Sequence, residues 1–429
     1  MKYVLIVLLS VFSLQVSSQI DHCIQDRYAQ TAMFDSTEIE QSVYTYSIEE
    51  RWPSNVMDTL ELEVFKPSSS ADNLSKRPFI LMIHGGSFLA GNRHEMDYFS
   101  MEMARRGFVT ATIDYRLGWN CSPSSAATVC FECGNEAAKL RISVYRAVQD
   151  TRAALNYIIE NADQFGIDTS QIFLQGTSAG AITALQTAFM DQTEANTYCA
   201  NCVTELGQLN ESGLTPVHPF TIKGVVNNCG AVNALGIMDN HEIPVVGFHD
   251  EWDCTVPYQG GNVLGCLGCT AFQYVSGSDA IRSKLNTEGV CYGMNRVMAT
   301  LNHCSYPSNA IIGKASCFIK NILCGTCTSY ITTSIWDIPD CTDGTTSMGV
   351  NEENKNEIEL SPNPTSGTLQ IDSKNVLKLI EVFAISGELV QSISGNVQSI
   401  DLSNIRTGTY LVKVKDVFEN TTIKRIHKQ

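Results

Sequence analysis

The sequence predicts an α/β fold with a mostly parallel, doubly wound sheet, followed by a small all-β sandwich. Three observations predict it. Between residues 20 and 335 compact apolar runs alternate with stretches of helical periodicity. Gly-rich turns stand directly after two of those runs, at His84-Gly85-Gly86 and Gly176. From residue 358 onward the pattern changes to short alternating runs punctuated by Gly, Asn and Ser. Strand, helix, strand in sequence argues for a parallel sheet covered on both faces. Short alternating runs between turn signals argue for a sandwich.

Each element has its own signal. Phe79 to Ile83 is an apolar run of the kind a doubly covered strand shows. Residues 95–106 are helical in pattern, and Phe108 to Ile113 is a second buried strand, ending at Asp114-Tyr115-Arg116. Residues 143–160 space their apolar groups three and four apart, which predicts an amphipathic helix. Gln171 to Gln175 is a strand, followed by Gly176 and a helix through about Phe189. Val225-Val226 and Pro244 to Phe248 supply two more strands, and Val297 to Leu301 is read as the last. In the tail, Leu411 to Lys415 alternates as a sandwich strand does.

The organisation predicted is a signal peptide over 1–19, a catalytic-type α/β domain over 20–335, a polar linker over 336–357 and a β-sandwich over 358–429. The leader has one Lys, an apolar run from Tyr3 to Leu9 and a small polar end. That run is shorter than the roughly 20 residues a bilayer crossing needs, so no membrane span is expected. A formal net charge of −16 argues against a nucleic-acid partner, because phosphate backbones are bound by clustered Lys and Arg. All 16 cysteines follow the leader, and an exported chain makes disulfides the default. Four C-x-x-C pairs stand out: Cys130/Cys133, Cys199/Cys202, Cys266/Cys269 and Cys324/Cys327. Two such pairs could build a Cys₄ zinc site in a reducing compartment; cross-links are favoured here.

Gly176-Thr177-Ser178-Ala179-Gly180 fits G-x-S-x-G, with a strand before it and a helix after it. In that setting the chain turns sharply and projects the Ser178 hydroxyl at the carboxyl edge of the sheet. His84-Gly85-Gly86-Ser87-Phe88 follows the earlier strand. A reaction passing through a tetrahedral oxyanion needs fixed N–H donors, expected here from Ala179 and from Gly86 or Ser87. An acid and a base should follow in chain order. The segment GFHDEWDCTVPY (247–258) nominates Asp253, ahead of Val256-Pro257, with Asp250 and Glu251 as rivals. Only His303 and His427 lie downstream, and His427 is in the tail, so His303 is the candidate base. Asp253 precedes Cys254 and His303 precedes Cys304, so contact between acid and base would predict a Cys254–Cys304 disulfide beside the site.

Together HGGSF, DYRLG (114–118), GTSAG and the D-x-x-V-P segment resemble the α/β-hydrolase superfamily, nearest to carboxylesterases with an HGG oxyanion motif. The likeness covers about residues 60–310. It implies Ser178 as nucleophile, His303 as base and Asp253 as the group that orients it, acting on carboxylic esters with no metal and no cofactor. The sequence departs from many relatives in having HGGS for HGGG, and in Cys-rich insertions near 119–135, 192–215 and 254–275. The tail, with Ser361-Pro362-Asn363-Pro364-Thr365-Ser366-Gly367, Ile385-Ser386-Gly387, Asp401-Leu402-Ser403, Gly408-Thr409-Tyr410 and a basic end, is similar to the sorting domain of type IX secretion substrates. That resemblance implies export through the periplasm by the type IX machinery to the medium or cell surface. The competing readings are a prolyl-oligopeptidase-like peptidase, which uses the same triad but lacks room here for an upstream propeller, and a catalytically dead hydrolase scaffold used for binding.

Overall fold

The computed structural model describes residues 22–24, 26–51, 56–119, 136–265, 272–298, 300–335, 341, 358–373, 376–384, 389–395, 397–416 and 421–429. The expected leader over 1–19, Cys130/Cys133, Cys266/Cys269, Ile385-Ser386-Gly387 and, Cys341 apart, the linker lie outside the described residues. The chain divides into two compact units, Met1–Thr345 and Thr346–Gln429.

The first unit runs β1 (Ile39–Arg51), β2 (Val56–Pro67), β3 (Arg77–Ile83), α1 (Asp97–Ala104), β4 (Val109–Ile113), α2 (Glu136–Glu160), α3 (Ala162–Phe165), β5 (Ile167–Thr177) and α4 (Ala179–Phe189). It continues with α5 (Gln192–Tyr198), α6 (Cys202–Leu206), β6 (Ile222–Asn228), β7 (Ala231–Val232), β8 (Val245–Asp250), β9 (Gly260–Asn262), β10 (Tyr274–Gly277), α7 (Ser278–Glu288), β11 (Tyr292–Val297), α8 (Ser308–Leu323) and β12 (Tyr330–Thr332). Nine strands form one sheet in the order β1-β2-β4-β3-β5-β6-β8-β11-β12. β1, β2 and β4 pair antiparallel, and from β4 to β12 every pairing is parallel.

The continuous apolar runs read from the sequence are the middle strands, because helices cover both of their faces. All seven residues of β3 are buried. On one face Leu81, Leu174 and Val225 pack with Val148, Leu155 and Leu185 of α2 and α4. On the other, Ile80, Phe173 and Val246 pack with Met103, Ile311 and Ile319 of α1 and α8. Each such large apolar side chain contributes roughly 1.5–3 kcal/mol on burial. The α/β, mostly parallel prediction therefore holds.

Two elements differ from the sequence reading in a way that matters. The long helix begins earlier than predicted, at Glu136. The strand read as the last, over 297–301, is instead β11 at Tyr292–Val297, and β12 follows it in the sheet. Val297 pairs with Asp250, the last residue of β8, so the sheet offers nothing further to pair with. Beyond it Met298 and Leu301 are exposed, and the chain is free to carry His303 back over the sheet edge.

The second unit is two antiparallel sheets, formed by β13 (Glu359–Ser361), β14 (Thr368–Asp372), β15 (Leu377–Ala384), β16 (Leu389–Ser394), β17 (Ser399–Asp401), β18 (Gly408–Asp416) and β19 (Thr421–Lys428). The sheet orders are β13-β14-β17 and β16-β15-β18-β19. Alternate residues from both, including Leu369, Ile371, Val382, Val412 and Val414, form its core. Asn363 of the SPNP segment accepts from His427 N and donates to the Arg425 carbonyl, both at 2.9 Å, tying that segment to β19.

Candidate active site

Parallel strands bring their carboxyl ends to one edge, and the chemistry-bearing side chains gather there. At the end of β5 the chain turns into α4 through Ser178, whose φ of 56° and ψ of −119° are those of a strained elbow. Its N–H donates to the Asn228 carbonyl at the end of β6 (2.9 Å). The turn requires glycine nearby: a Cβ on Gly180 would lie 2.1 Å from the Ile83 carbonyl oxygen of β3.

The loop after β3 lies against this elbow. Gly86 has φ +102°, and a Cβ there would meet the Ala90 carbonyl at 2.0 Å. Ser87 and Phe88 also hold positive φ, at 55° and 61°. The loop is kept in place from beneath. His84 stacks on Tyr115 (centroids 4.3 Å apart, 19° between planes), and the Tyr115 hydroxyl donates to the His84 carbonyl (3.1 Å). Trp119 Nε1 donates to the Ser87 carbonyl (2.8 Å). Burial lowers the pKa of the His84 ring, although its bond to the Gly85 carbonyl opposes this, so the ring supports the loop as a neutral group. The DYRLG segment thus acts as scaffold: Tyr115 props the loop and Arg116 pairs with the buried Asp150 of α2 (2.7 Å).

The candidate acid and base meet the candidate nucleophile. Ser178 Oγ lies 2.7 Å from His303 Nε2, and His303 Nδ1 lies 2.6 Å from Asp253 Oδ2. The other carboxylate oxygen of Asp253 accepts from Thr255 N (2.8 Å) and Val256 N (3.0 Å). Burial alone would raise the pKa of Asp253, but hydrogen bonds from His249 and His303 outweigh it and hold the carboxyl at about 2. The rival acids face elsewhere. Glu251 stands 3.9 Å from Arg296. Asp250 grips the His303 loop on both sides of the ring: it accepts from the Thr300 hydroxyl (2.7 Å), from Ser305 N (2.8 Å) and from the Ser305 hydroxyl.

Sequence reasoning did not find three of these partners: Asp250 as a clamp, Tyr115 as a prop and His249 as a second group on Asp253. The motif GFHDEWD contains Asp250 and His249, but their roles depend on loops distant in sequence.

The predicted Cys254–Cys304 disulfide is overturned. Cys304 is bonded to Cys229, with Cα atoms 5.3 Å apart, and Cys254 is disulfide-bonded to another cysteine. Residues consecutive in the chain send their side chains in different directions, so contact between Asp253 and His303 does not carry over to the residues that follow them. Cys304 instead points to the end of β6. Of the C-x-x-C pairs, Cys199 and Cys202 are bonded to each other, whereas Cys324 pairs with Cys23 and Cys327 with Cys291.

Beside Ser178 lies a narrow cavity of about 30 Å³, walled by Phe88, Trp119, Ile182, Val256 and Leu264, with Ser87 and Ala179 also on its surface. Residues from the 254–275 insertion therefore contribute part of its wall.

Two segments of the chain match known protein families. Residues 14–203 match the carboxylesterase family and residues 359–429 match a secretion system C-terminal sorting domain. The chain is 30% identical over 131 residues to gut esterase 1 of Caenorhabditis elegans, a match covering 30% of this chain and 20% of that protein. It is 30% identical over 132 residues to para-nitrobenzyl esterase of Bacillus subtilis, covering 30% of this chain and 24% of that one. It is 32% identical over 124 residues to the neuroligin-like protein glit-1 of Caenorhabditis elegans, covering 29% and 15%. The chain thus spans about a fifth of the length of these relatives. An esterase structure from Thermogutta terrifontis aligns at a TM-score of 0.41 and 17% identity, over 69% of this chain and 98% of that one. The tail's family marks export to the exterior or the cell surface. Among the described residues no helix is long and apolar enough to cross a membrane.

Proposed function

We propose that the protein is a secreted serine esterase that hydrolyses carboxylic esters through an acyl-enzyme. The observation that carries this reading is the unbroken line Ser178 Oγ–His303 Nε2–Asp253 Oδ2, at 2.7 and 2.6 Å. Ser178 Oγ attacks the acyl carbonyl as its proton passes to His303 Nε2, while ionised Asp253 holds the Nδ1–H tautomer and stabilises the imidazolium. The N–H groups of Ala179 and of Gly86 or Ser87 receive the oxyanion. The imidazolium returns its proton to the departing alcohol. Water, activated by the same imidazole, then adds to the acyl carbon and releases the acid and Ser178.

The apolar cavity beside Ser178, walled by Phe88, Trp119, Ile182, Val256 and Leu264, supports an acyl group seated against apolar side chains. The sorting tail supports passage through the periplasm and delivery by a type IX machinery to large external esters.

The test is a panel of acetyl, butyryl, long-chain and feruloyl esters beside dipeptidyl amides, with fluorophosphonate labelling. Labelling at Ser178 and ester turnover are expected. Turnover of the amides alone would favour a peptidase. Absence of both labelling and turnover would leave a binding scaffold.

A further inference from the structure

One buried group beyond the Ser178–His303–Asp253 line sits against the same carboxylate. His249 of β8 is 1% exposed. Its Nε2 lies 2.9 Å from the Val256 carbonyl oxygen and 3.3 Å from Asp253 Oδ2, the oxygen that His303 also uses. Its Nδ1 lies 2.7 Å from Ser278 Oγ at the start of α7.

The donor directions along this line follow from one backbone amide. Gly230 N–H donates to Asn227 Oδ1 (2.8 Å), which fixes the Asn227 side-chain amide and makes Nδ2 the donor to Ser278 Oγ (3.0 Å). With that oxygen accepting, the Ser278 hydrogen turns to His249 Nδ1, because the Gly230 carbonyl, its other acceptor, is 3.5 Å away. His249 then carries its hydrogen on Nε2, where it faces Val256 O and Asp253 Oδ2. Asn227 at the end of β6 and Ser278 at the start of α7 are both buried, at 0% and 2% exposure.

We infer that His249 is a positioning residue of the site, a second donor on Asp253 Oδ2 whose tautomer is set by Ser278 and Asn227. This rests on the catalytic reading above. A carboxylate oxygen with two donors spreads its charge between them. Without His249 more of that charge faces His303, the imidazolium is held more firmly, and the base stays protonated to higher pH. The other groups around His249 are few. The Tyr258 ring meets it edge-on at 5.6 Å, with the Tyr258 hydroxyl donating to Asp279 (3.3 Å). Arg296 is its register partner on β11.

The experiment is the pH profile of kcat/KM on p-nitrophenyl acetate for the full chain and for His249→Ala, His249→Gln and Ser278→Ala. The acid limb should move to higher pH by about half a unit or more in His249→Ala, and by less in Ser278→Ala, with the plateau falling about ten- to a hundredfold in the former. His249→Gln, which returns an amide donor, should bring the limb back toward its original place. A lowered plateau with the acid limb unmoved in the folded variants would overturn the inference, leaving His249 as packing alone. If His249→Ala does not fold, Ser278→Ala decides by the same readout, since it leaves every direct contact to Asp253 in place. Ser178→Ala is measured alongside: activity retained there overturns the catalytic reading itself, whereas an inactive Ser178→Ala with an unmoved limb overturns only the role of His249.

Discussion

Cys229 and Cys304 are joined by a disulfide that links the two sides of the Ser178–His303 hydrogen bond. Cys304 follows His303, and Cys229 follows Asn228, whose carbonyl accepts the Ser178 N–H. The cross-link therefore ties the His303 loop, which follows the end of β11, to the end of β6, whose last residue Asn228 is paired in the sheet with Thr177 and Phe248. Replacing Cys229 by Ser should lower kcat/KM about ten- to a hundredfold by loosening the His303 loop. Losing a cross-link that spans 75 residues should also reduce stability by up to about 4 kcal/mol, measured by urea unfolding. A variant with unchanged kcat/KM would show that the loop keeps its place without the bond.

Ser178→Ala removes the attacking oxygen and little else, since the site is 8% exposed and the strand and helix about it are intact. Ester turnover should fall by at least about 10³-fold, with no change in thermal midpoint beyond a few degrees. Turnover near the original level would end the acyl-enzyme mechanism.

The two acids near His303 should separate by magnitude. Asp253→Asn should reduce kcat by about 10³–10⁴ because the imidazole loses both its orienting partner and the charge that stabilises it. Asp250→Asn weakens the grip on Thr300 and Ser305 but leaves the Asp253 bond, so a drop of about tenfold is expected. Equal losses, or the reverse order, would reassign the acid.

The depressed pKa of Asp253 also makes a stability statement. Its carboxyl sits at about 2 in the folded chain against 3.8 ordinarily, with burial opposing and hydrogen bonds from His249 and His303 prevailing. The sign follows: this stabilisation is fully present above about pH 4 and is lost as pH falls through about 2. Urea midpoints measured from pH 5 to pH 2 should decline more steeply for the original chain than for Asp253→Asn. Parallel declines would remove Asp253 from the acid sensitivity.

Ile182 closes one side of the cavity beside Ser178. Shortening it to Ala should shift the kcat/KM ratio of butyryl to acetyl esters upward by about tenfold, the scale of one or two methylenes in an apolar pocket. An unchanged ratio would place the acyl group elsewhere.

Much of this site was legible in the chain, and for a physical reason. The elbow around Ser178 and the loop around Gly86 are local devices, where the steric demands of a strand-to-helix turn or a positive φ act within a few residues and so leave glycines in a recognisable pattern. The strands were legible because burial on both faces selects continuous apolar runs. By contrast, the end of β11 was misread: Val297-Met298-Ala299-Thr300-Leu301 is apolar enough for a strand, but a strand needs a partner, and β8 ends at Asp250.

The sequence by itself determined the α/β class, the two-part organisation of sheet and tail, and the identity of the groups that meet, because each is written in local periodicity or in chain order. Only the tertiary structure decided that Cys304 bonds Cys229 and not Cys254, that Asp250 clamps while Asp253 pairs, and that His249 shares the carboxylate with His303. Those choices turn on directions of side chains brought together from β6, β8, β11 and α7, and direction in space is not encoded by spacing along a chain.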